Sequence, residues 1–163
     1  MQGSNYTKPK VNIVPFKNEH AEFILSQELN AKELYLKPEH RQYALYLEQV
    51  GTSFTGIVNN KPIAAGGIFM LWDIVAEGWV IATNDVWQYS ISFARHFKTK
   101  TDVLIETQKI KRLQTTVKAD FKLGHRFAQW LGMKSEGLMK NYGPDGSDYI
   151  RYARIILWVF SVI

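Results

Sequence analysis

The chain has 163 residues, 46% of them hydrophobic and 13% aromatic, and its 20 Lys and Arg against 15 Asp and Glu give a formal charge of +5. That length and apolar content suffice for one sizeable core held without metals or cross-links. The chain has no cysteine, which excludes a disulfide framework, a thiol nucleophile and a cysteine zinc site.

The elements follow from periodicity. Residues 1–10 are polar (MQGSNYTKPK) and read as a flexible arm with no apolar signal segment. Val11–Pro15 alternates as a first strand, β1. A helix α1 is expected over Asn18–Leu29, with Asn18 as N-cap and Ala21, Ile24, Leu25 and Leu29 as its apolar stripe. Helix α2 spans Pro38–Val50, with Pro in the first turn, Gly51 past its end, and Tyr43, Leu47 and Val50 on one face. Ser53–Val58 and Pro62–Leu71 are strands β2 and β3, joined by the hairpin-type turn Asn59-Asn60. After a turn at Asp73–Glu77, Gly78–Thr83 is β4, and Tyr89–Thr99 is helix α3, with Leu104 in buried helix or linker.

The last third, from Arg112 to Ile156, carries the densest pattern. Leu113–Ala119 alternates as β5, and Lys122–Leu131 is a short helix α4 ended by Gly132, a residue suited to the left-handed conformation past a helix end. Lys134–Tyr142 and Asp148–Ile156 form a hairpin, β6 and β7, around Gly143-Pro144-Asp145-Gly146-Ser147. No repeats and no low-complexity linker interrupt the chain, so residues 11–163 read as a single domain. No window reaches the roughly 18 apolar residues of a membrane helix. The apolar tail Ile155–Ile163 (IILWVFSVI) is expected to pack on the core or on a protein partner, because a free apolar edge invites aggregation.

A helix ending in WLGM, then KSEGLMKNYG, then DYIRYARI, resembles the C-terminal half of the GCN5-related N-acetyltransferase (GNAT) fold, and most of all the short GNAT-like proteins of tailed bacteriophages. The resemblance covers about Val11–Ile156. It implies an α/β (α+β) fold with a mixed, mostly antiparallel central sheet flanked by helices, in the order β1-α1-α2-β2-β3-β4-α3-β5-α4-β6-β7. One parallel pair is expected where α3 crosses from β4 to β5.

The resemblance also implies an activity: transfer of an acetyl group from acetyl-CoA to a primary amine, with the cofactor between β4 and β5. The family holds the pyrophosphate on main-chain N–H groups where α3 begins, within a Q/R-x-x-G-x-G/A motif. A helix start offers unsatisfied donors and a positive dipole end. The cofactor-binding positions so implied are Thr83, Asn84, Asp85, Val86, Gln88, Ser90, Ile91 and Ser92. Gln88 matches the motif, whereas Ile91 and Phe93 stand where small residues belong. Those two, with Phe97, also read as core residues of α3. The family's tyrosine acid, four residues before the glycine of its "lGF", falls here on Ala128. Tyr142, Tyr149 and Tyr152 lie nearby on the hairpin, and Tyr149 is the candidate acid. Glu77, opening β4, is the candidate base that takes a proton from the amine. It also reads as a solvated turn residue, and Glu136 as a strand-edge residue.

Two function classes follow. The first is the acetyltransferase. The second is a catalytically inactive GNAT-fold phage protein, acting as a structural or host-interaction component, which Ile91, Phe93 and Ala128 favour. If the protein is phage-encoded, as the resemblance implies, its expected place is the host cytoplasm or the virion, and a homo-oligomer is compatible with both classes. Basic residues cluster from Lys109 to Arg126, but no zinc-finger or RNP signature accompanies them, so nucleic acid is not the expected partner. No His and carboxylate groups show metal-ligand spacing, and no metal is expected.

Overall fold

The computed structural model describes residues 9–27 and 38–158. Its elements are β1 (Asn12–Pro15), α1 (Asn18–Ser26), α2 (Pro38–Val50), β2 (Ser53–Val58), β3 (Lys61–Trp72), β4 (Val75–Ala82), a 3-10 helix (Asn84–Tyr89), α3 (Ser90–Thr107), β5 (Arg112–Lys118), α4 (Lys122–Trp130), β6 (Lys134–Met139) and β7 (Tyr149–Ile155). The seven strands form a single mixed sheet in the order β1-β2-β3-β4-β5-β7-β6. This is the expected fold class and element order. The β4–β5 pair is parallel, as a helical crossover between neighbouring strands requires. Contacts divide the chain into two compact units.

The first unit comprises the chain up to Gly66 together with Val80–Phe93. Its β1 pairs antiparallel with β2 from Asn12↔Ile57 to Pro15↔Phe54. The turn after β2 has Asn59 at φ 48° and Asn60 at φ 62°. Those are the two positive angles of a type I′ hairpin, which asparagine tolerates better than most residues. Lys17, extended at φ −129°, is the N-cap of α1, so Asn18 is already helical. His20, three residues in, reaches back and accepts the Lys17 N–H at 3.2 Å, the return half of a capping box. The Asn18 N–H goes instead to Glu48 Oε2 on α2, at 2.7 Å. Ala21 and Ile24 are buried as expected, and Leu29 lies outside the described residues. On α2 the buried residues are Ala44 and Leu47, while Tyr43 is 45% and Val50 37% exposed. The apolar stripe is therefore narrower than the sequence spacing predicts.

The second unit comprises Gly67–Trp79 and the chain from Ala94 onward. Here β5 is the hub: it pairs with β7 over seven positions, Arg112↔Ile155 to Lys118↔Tyr149. β6 pairs on the far side of β7, with a bulge between Ser135 and Gly137. β4 begins at Val75 rather than Gly78, because Val75-Ala76-Glu77 continues the strand alternation and pairs with Arg112–Gln114. Glu77 is thus a strand residue and not a turn residue. α3 runs to Thr107, eight residues beyond the predicted end, with Phe97, Thr101 and Ile105 buried at helical spacing. Asp102 holds this extension: it pairs with Lys98 one turn back and accepts from Arg154 of β7 at 3.0 Å. α4 ends as predicted, with Gly132 at φ +83° and the Met133 N–H returning to the Ala128 carbonyl at 3.0 Å. Past β7, the Ile156 N–H bonds to the Lys111 carbonyl at 2.9 Å, and Trp158 Nε1 donates to the Ile110 carbonyl at 3.2 Å. Leu157 between them is 85% exposed. The remainder of the apolar tail, 159–163, lies outside the described residues.

Among the described residues no helix is long and apolar enough to cross a membrane, and no group of three or more His, Asp or Glu gathers as a metal site.

Candidate active site

The parallel ladder between β4 and β5 is short. It pairs Val75↔Arg112, Ala76↔Leu113 and Glu77↔Gln114. One row further, the Thr115 hydroxyl donates to the Gly78 carbonyl at 2.8 Å. A side chain therefore takes an acceptor that a continuing ladder would offer to a main-chain N–H. The strands part where Glu77 stands.

Glu77 is held at this break. Its Oε2 accepts from Gln114 Nε2 at 2.9 Å and from Arg151 Nη1 of β7 at 3.3 Å. The carboxylate is 18% and the guanidinium 23% exposed, so the pair is largely shielded from water yet not sealed off. Strand alternation puts Glu77, Arg112, Gln114, Thr116 and Arg151 on one face of the sheet. Arg112 extends the network by a two-armed bond to Glu136 on β6, with Nη1 at 3.0 Å from Oε1, and by Nε to Gln114 Oε1 at 2.7 Å. The guanidinium holds the Glu136 carboxyl below its ordinary range. A carboxylate fixed between an amide and a cation at a break in the sheet can take up a proton from a substrate lodged there.

The opposite face carries Thr115 and Tyr152 in one register row. Tyr152 is 4% exposed, and its hydroxyl lies 3.0 Å from His125 Nδ1 on α4. His125 Nε2 lies 3.0 Å from the Ala119 carbonyl. A carbonyl only accepts, so Nε2 donates to it. Ala128, where the resemblance seeks a hydroxyl acid, is 2% exposed and supplies none.

The structure does not bring the two candidate catalytic residues together. Tyr149 begins β7 opposite Lys118, its ring 5.5 Å from that of Tyr142 and inclined at 62°. It is four register positions from Ala153, the partner of Gln114, and so about 13 Å along the strand.

The candidate cofactor segment lies in the first unit. The N–H and hydroxyl of Thr83 both donate to the Ile63 carbonyl, at 2.8 and 3.2 Å, and the residue is buried. From Asn84 to Tyr89 the chain coils as a 3-10 helix. Past their first residues such turns bond N–H to the carbonyl three residues back, as Val86 does to Thr83 at 3.2 Å. The Ser90 hydroxyl bonds to the Trp87 carbonyl at 3.3 Å. Asp85 and Gln88 are exposed, and Asp85 lies in the first turn. Ile91 is 68% exposed, so it is no core residue. Phe93 and Phe97 are buried as read; Phe93 packs on Phe54 and fills the space beside Gly56, where an added Cβ would come within 3.0 Å of its ring. A diphosphate needs several outward N–H donors and no competing anion. Here the Val86 N–H is spent within the turn and Asp85 sets a carboxylate in its first turn, which opposes the diphosphate end of acetyl-CoA at that turn.

Sequence reasoning singled out Glu77 and named Tyr152, but not their partners Gln114, Arg151 and His125. The signal was the alternation of Arg112, Gln114 and Thr116 with Leu113, Thr115 and Val117, which marks the more polar sheet face.

No protein-family model matches this sequence, and no curated protein sequence matches it. Solved structures do. An N-acetyltransferase from Staphylococcus aureus Mu50 is similar at a TM-score of 0.69 and 17% identity, over 90% of this chain and 98% of its own. The ribosomal-protein-S18-alanine N-acetyltransferase from Escherichia coli is similar at a TM-score of 0.65 and 17% identity, over 94% of this chain and 99% of its own. A GNAT-family acetyltransferase from Bacillus anthracis is similar at a TM-score of 0.64 and 15% identity, over 90% and 97%. The chain therefore has the GNAT fold.

Proposed function

We propose that this chain is a GNAT-type N-acyltransferase that moves an acetyl group from a thioester to a primary amine. The observation that carries the reading is the break in the β4–β5 ladder with the Glu77 carboxylate fixed beside it. Glu77 takes a proton from the incoming ammonium, directly or through a water, so that the free amine can attack the thioester carbonyl; as the C–N bond forms the C–S bond breaks, and the thiolate leaves as free thiol with the second proton that the nitrogen gives up. Gln114 and Arg151 fix the carboxylate, which lowers the reorganisation needed at that moment. A β4 main-chain N–H at the break serves the developing oxyanion. Tyr149, farther along the same face, contacts a substrate that extends along β7. The neighbours' activities support acyl transfer as the chemistry of this scaffold.

The test is to incubate the protein with an acetyl thioester and peptides bearing free α- and ε-amines, and to follow acetyl gain by mass spectrometry. Transfer that Glu77→Gln loses is the expected result. Thioester binding with no transfer to either amine class would favour the second reading, a non-catalytic GNAT scaffold with a structural or host-interaction role. Ala128 at the acid position is the observation on that side.

A further inference from the structure

Two arginine–carboxylate pairs stand along the polar sheet face of the second unit, and they differ in how far each is satisfied. Arg112 is saturated: its Nη1 and Nη2 close a two-armed fork on both oxygens of Glu136, and its Nε donates to Gln114. Arg151 meets Glu77 through Nη1 alone, at 3.3 Å, where a tight charge-assisted contact runs at about 2.7–2.9 Å. A guanidinium carries N–H donors on all three nitrogens, so Nε and Nη2 of Arg151 have no partner among the described residues, and neither has Glu77 Oε1. The Thr116 hydroxyl, on the residue opposite Arg151 in the register, has none there either. With the Arg151 and Glu77 side chains 23% and 18% exposed, a ligand can reach these atoms while water screens them less than at an open surface.

The charges of the cluster balance, Glu77 and Glu136 against Arg112 and Arg151. A bare ammonium arriving at Glu77 meets the Arg151 cation beside it, which offsets part of the attraction. A carboxylate on the same molecule relieves that repulsion: it takes the open Arg151 donors while the ammonium takes Oε1. Glu136 also acts on this region through its charge, but both of its oxygens are already held by Arg112. Oε1 and Nη2 each lie one fork away from the same Oε2–Nη1 contact, so the two charges of the ligand must be close together. From this contrast we infer that the acceptor is an amine with a carboxylate one or two carbons from its nitrogen, and that Arg151 is the residue that selects it. A free α-amino acid and the aspartyl N-terminus of a peptide share that chemistry. The inference rests on the acyl-transfer reading above and names the acceptor of the same site.

The experiment follows acetyl transfer by the full chain from an acetyl thioester to two peptides that differ only in beginning with Asp or with Asn. A kcat/KM higher by about tenfold or more for the Asp peptide, carried mainly by KM, is expected. Arg151→Gln slows both acceptors, since Glu77 loses a neighbour, but brings their ratio to within about threefold of unity; a merely structural role would lower both alike and leave the ratio standing. Arg151→Lys, which keeps the charge without the fork, retains part of the preference and reads the same ratio if the Gln variant does not fold. Free glycine as a third acceptor tells the two sources of the chemistry apart, a single amino acid or a peptide N-terminus. Equal use of the Asp and Asn peptides, or a preference that neither substitution lowers, overturns this inference and leaves the acyltransferase reading intact. If bound thioester is passed to none of the three acceptors, the acyltransferase reading fails and the inference fails with it.

Discussion

Glu77 lies between a neutral amide and a guanidinium, with both hydrogen bonds on Oε2. The arrangement leaves Oε1 as the oxygen free of those two bonds, in a position with less water than a surface carboxylate has. If Glu77 is the base, Glu77→Gln keeps the shape and can keep a bond to Gln114 but removes the proton acceptor. Turnover should fall by about 10²–10⁴-fold, while thioester affinity, read by calorimetry, stays unchanged. Equal losses in turnover and affinity would instead mark a packing role. The residue was visible in the sequence, but its setting was not. Arg151 is 74 positions away, and no local pattern announces a contact of that separation. The placement of Glu77 in a turn failed for a related reason: Val75 and Ala76 acquire their strand character from pairing with Arg112 and Leu113, which tertiary structure decides and local propensity does not. Ile91 failed in the opposite direction. Its apolar side chain suggested a core position, yet it lies on the outer side of the first turn of α3, where only the three-dimensional course of the preceding 3-10 helix fixes which way it faces.

At the scale of elements, α4 shows what the sequence could and could not specify. Its end was legible because Gly132 must take φ +83°, a requirement written in one residue. Its docking was not legible. Gly124 lies inside the helix, and an added Cβ there would come within 2.7 Å of Val117 Cγ1 on β5 and 2.5 Å of the Phe121 ring. Phe121 is half-exposed and can swing away, whereas Val117 is buried and cannot. Gly124→Ala should gain about 1 kcal/mol of intrinsic helix propensity and lose about 1–3 kcal/mol to overpacking against β5. The net expectation is destabilisation, measured as a lower denaturant midpoint at unchanged slope; a rise in midpoint would show that α4 shifts freely on the sheet. α3 makes the complementary case. The sequence reading ends it at Thr99 and leaves Leu104 in helix or linker, and the stretch Lys98-Thr99-Lys100-Thr101 is polar with two threonines of modest helix propensity. The structure continues it because Thr101 and Ile105 are buried and Asp102 links the helix to Lys98 and to Arg154 of β7.

For the whole molecule, His20 in one compact unit and Asp102 in the other both contribute to how stability responds to acid, beside the more exposed Glu136 and Asp145. Burial holds the His20 imidazole below its ordinary value of 6.5, assisted by Lys17 and opposed by Glu19 and Glu48. Its Nδ1 accepts from the Lys17 N–H and lies 2.9 Å from the Thr55 hydroxyl, so a proton added there displaces both donors. The unfolded chain therefore binds this proton more readily than the folded one. Stability is fully present above pH 6.5 and declines as pH falls below it, until the lowered folded value is passed. Asp102 acts in a separate window. Burial raises its carboxyl, but the hydrogen bonds from Lys98 and Arg154 outweigh this and hold it below 3.8. Its contribution is present above 3.8 and is lost as pH falls through the lowered folded value. Denaturant unfolding followed from about pH 7.5 to about pH 3 should thus lose stability in two steps. His20→Gln, whose amide oxygen can still accept from Lys17 and Thr55, should flatten the upper step and leave the lower one. Asp102→Asn should shrink the lower step, the rest of which belongs to Glu136 and Asp145, and leave the upper one. If either single substitution removed both steps, the acid response would belong to some other group that both variants disturb, and the assignment of the upper step to His20 would fall.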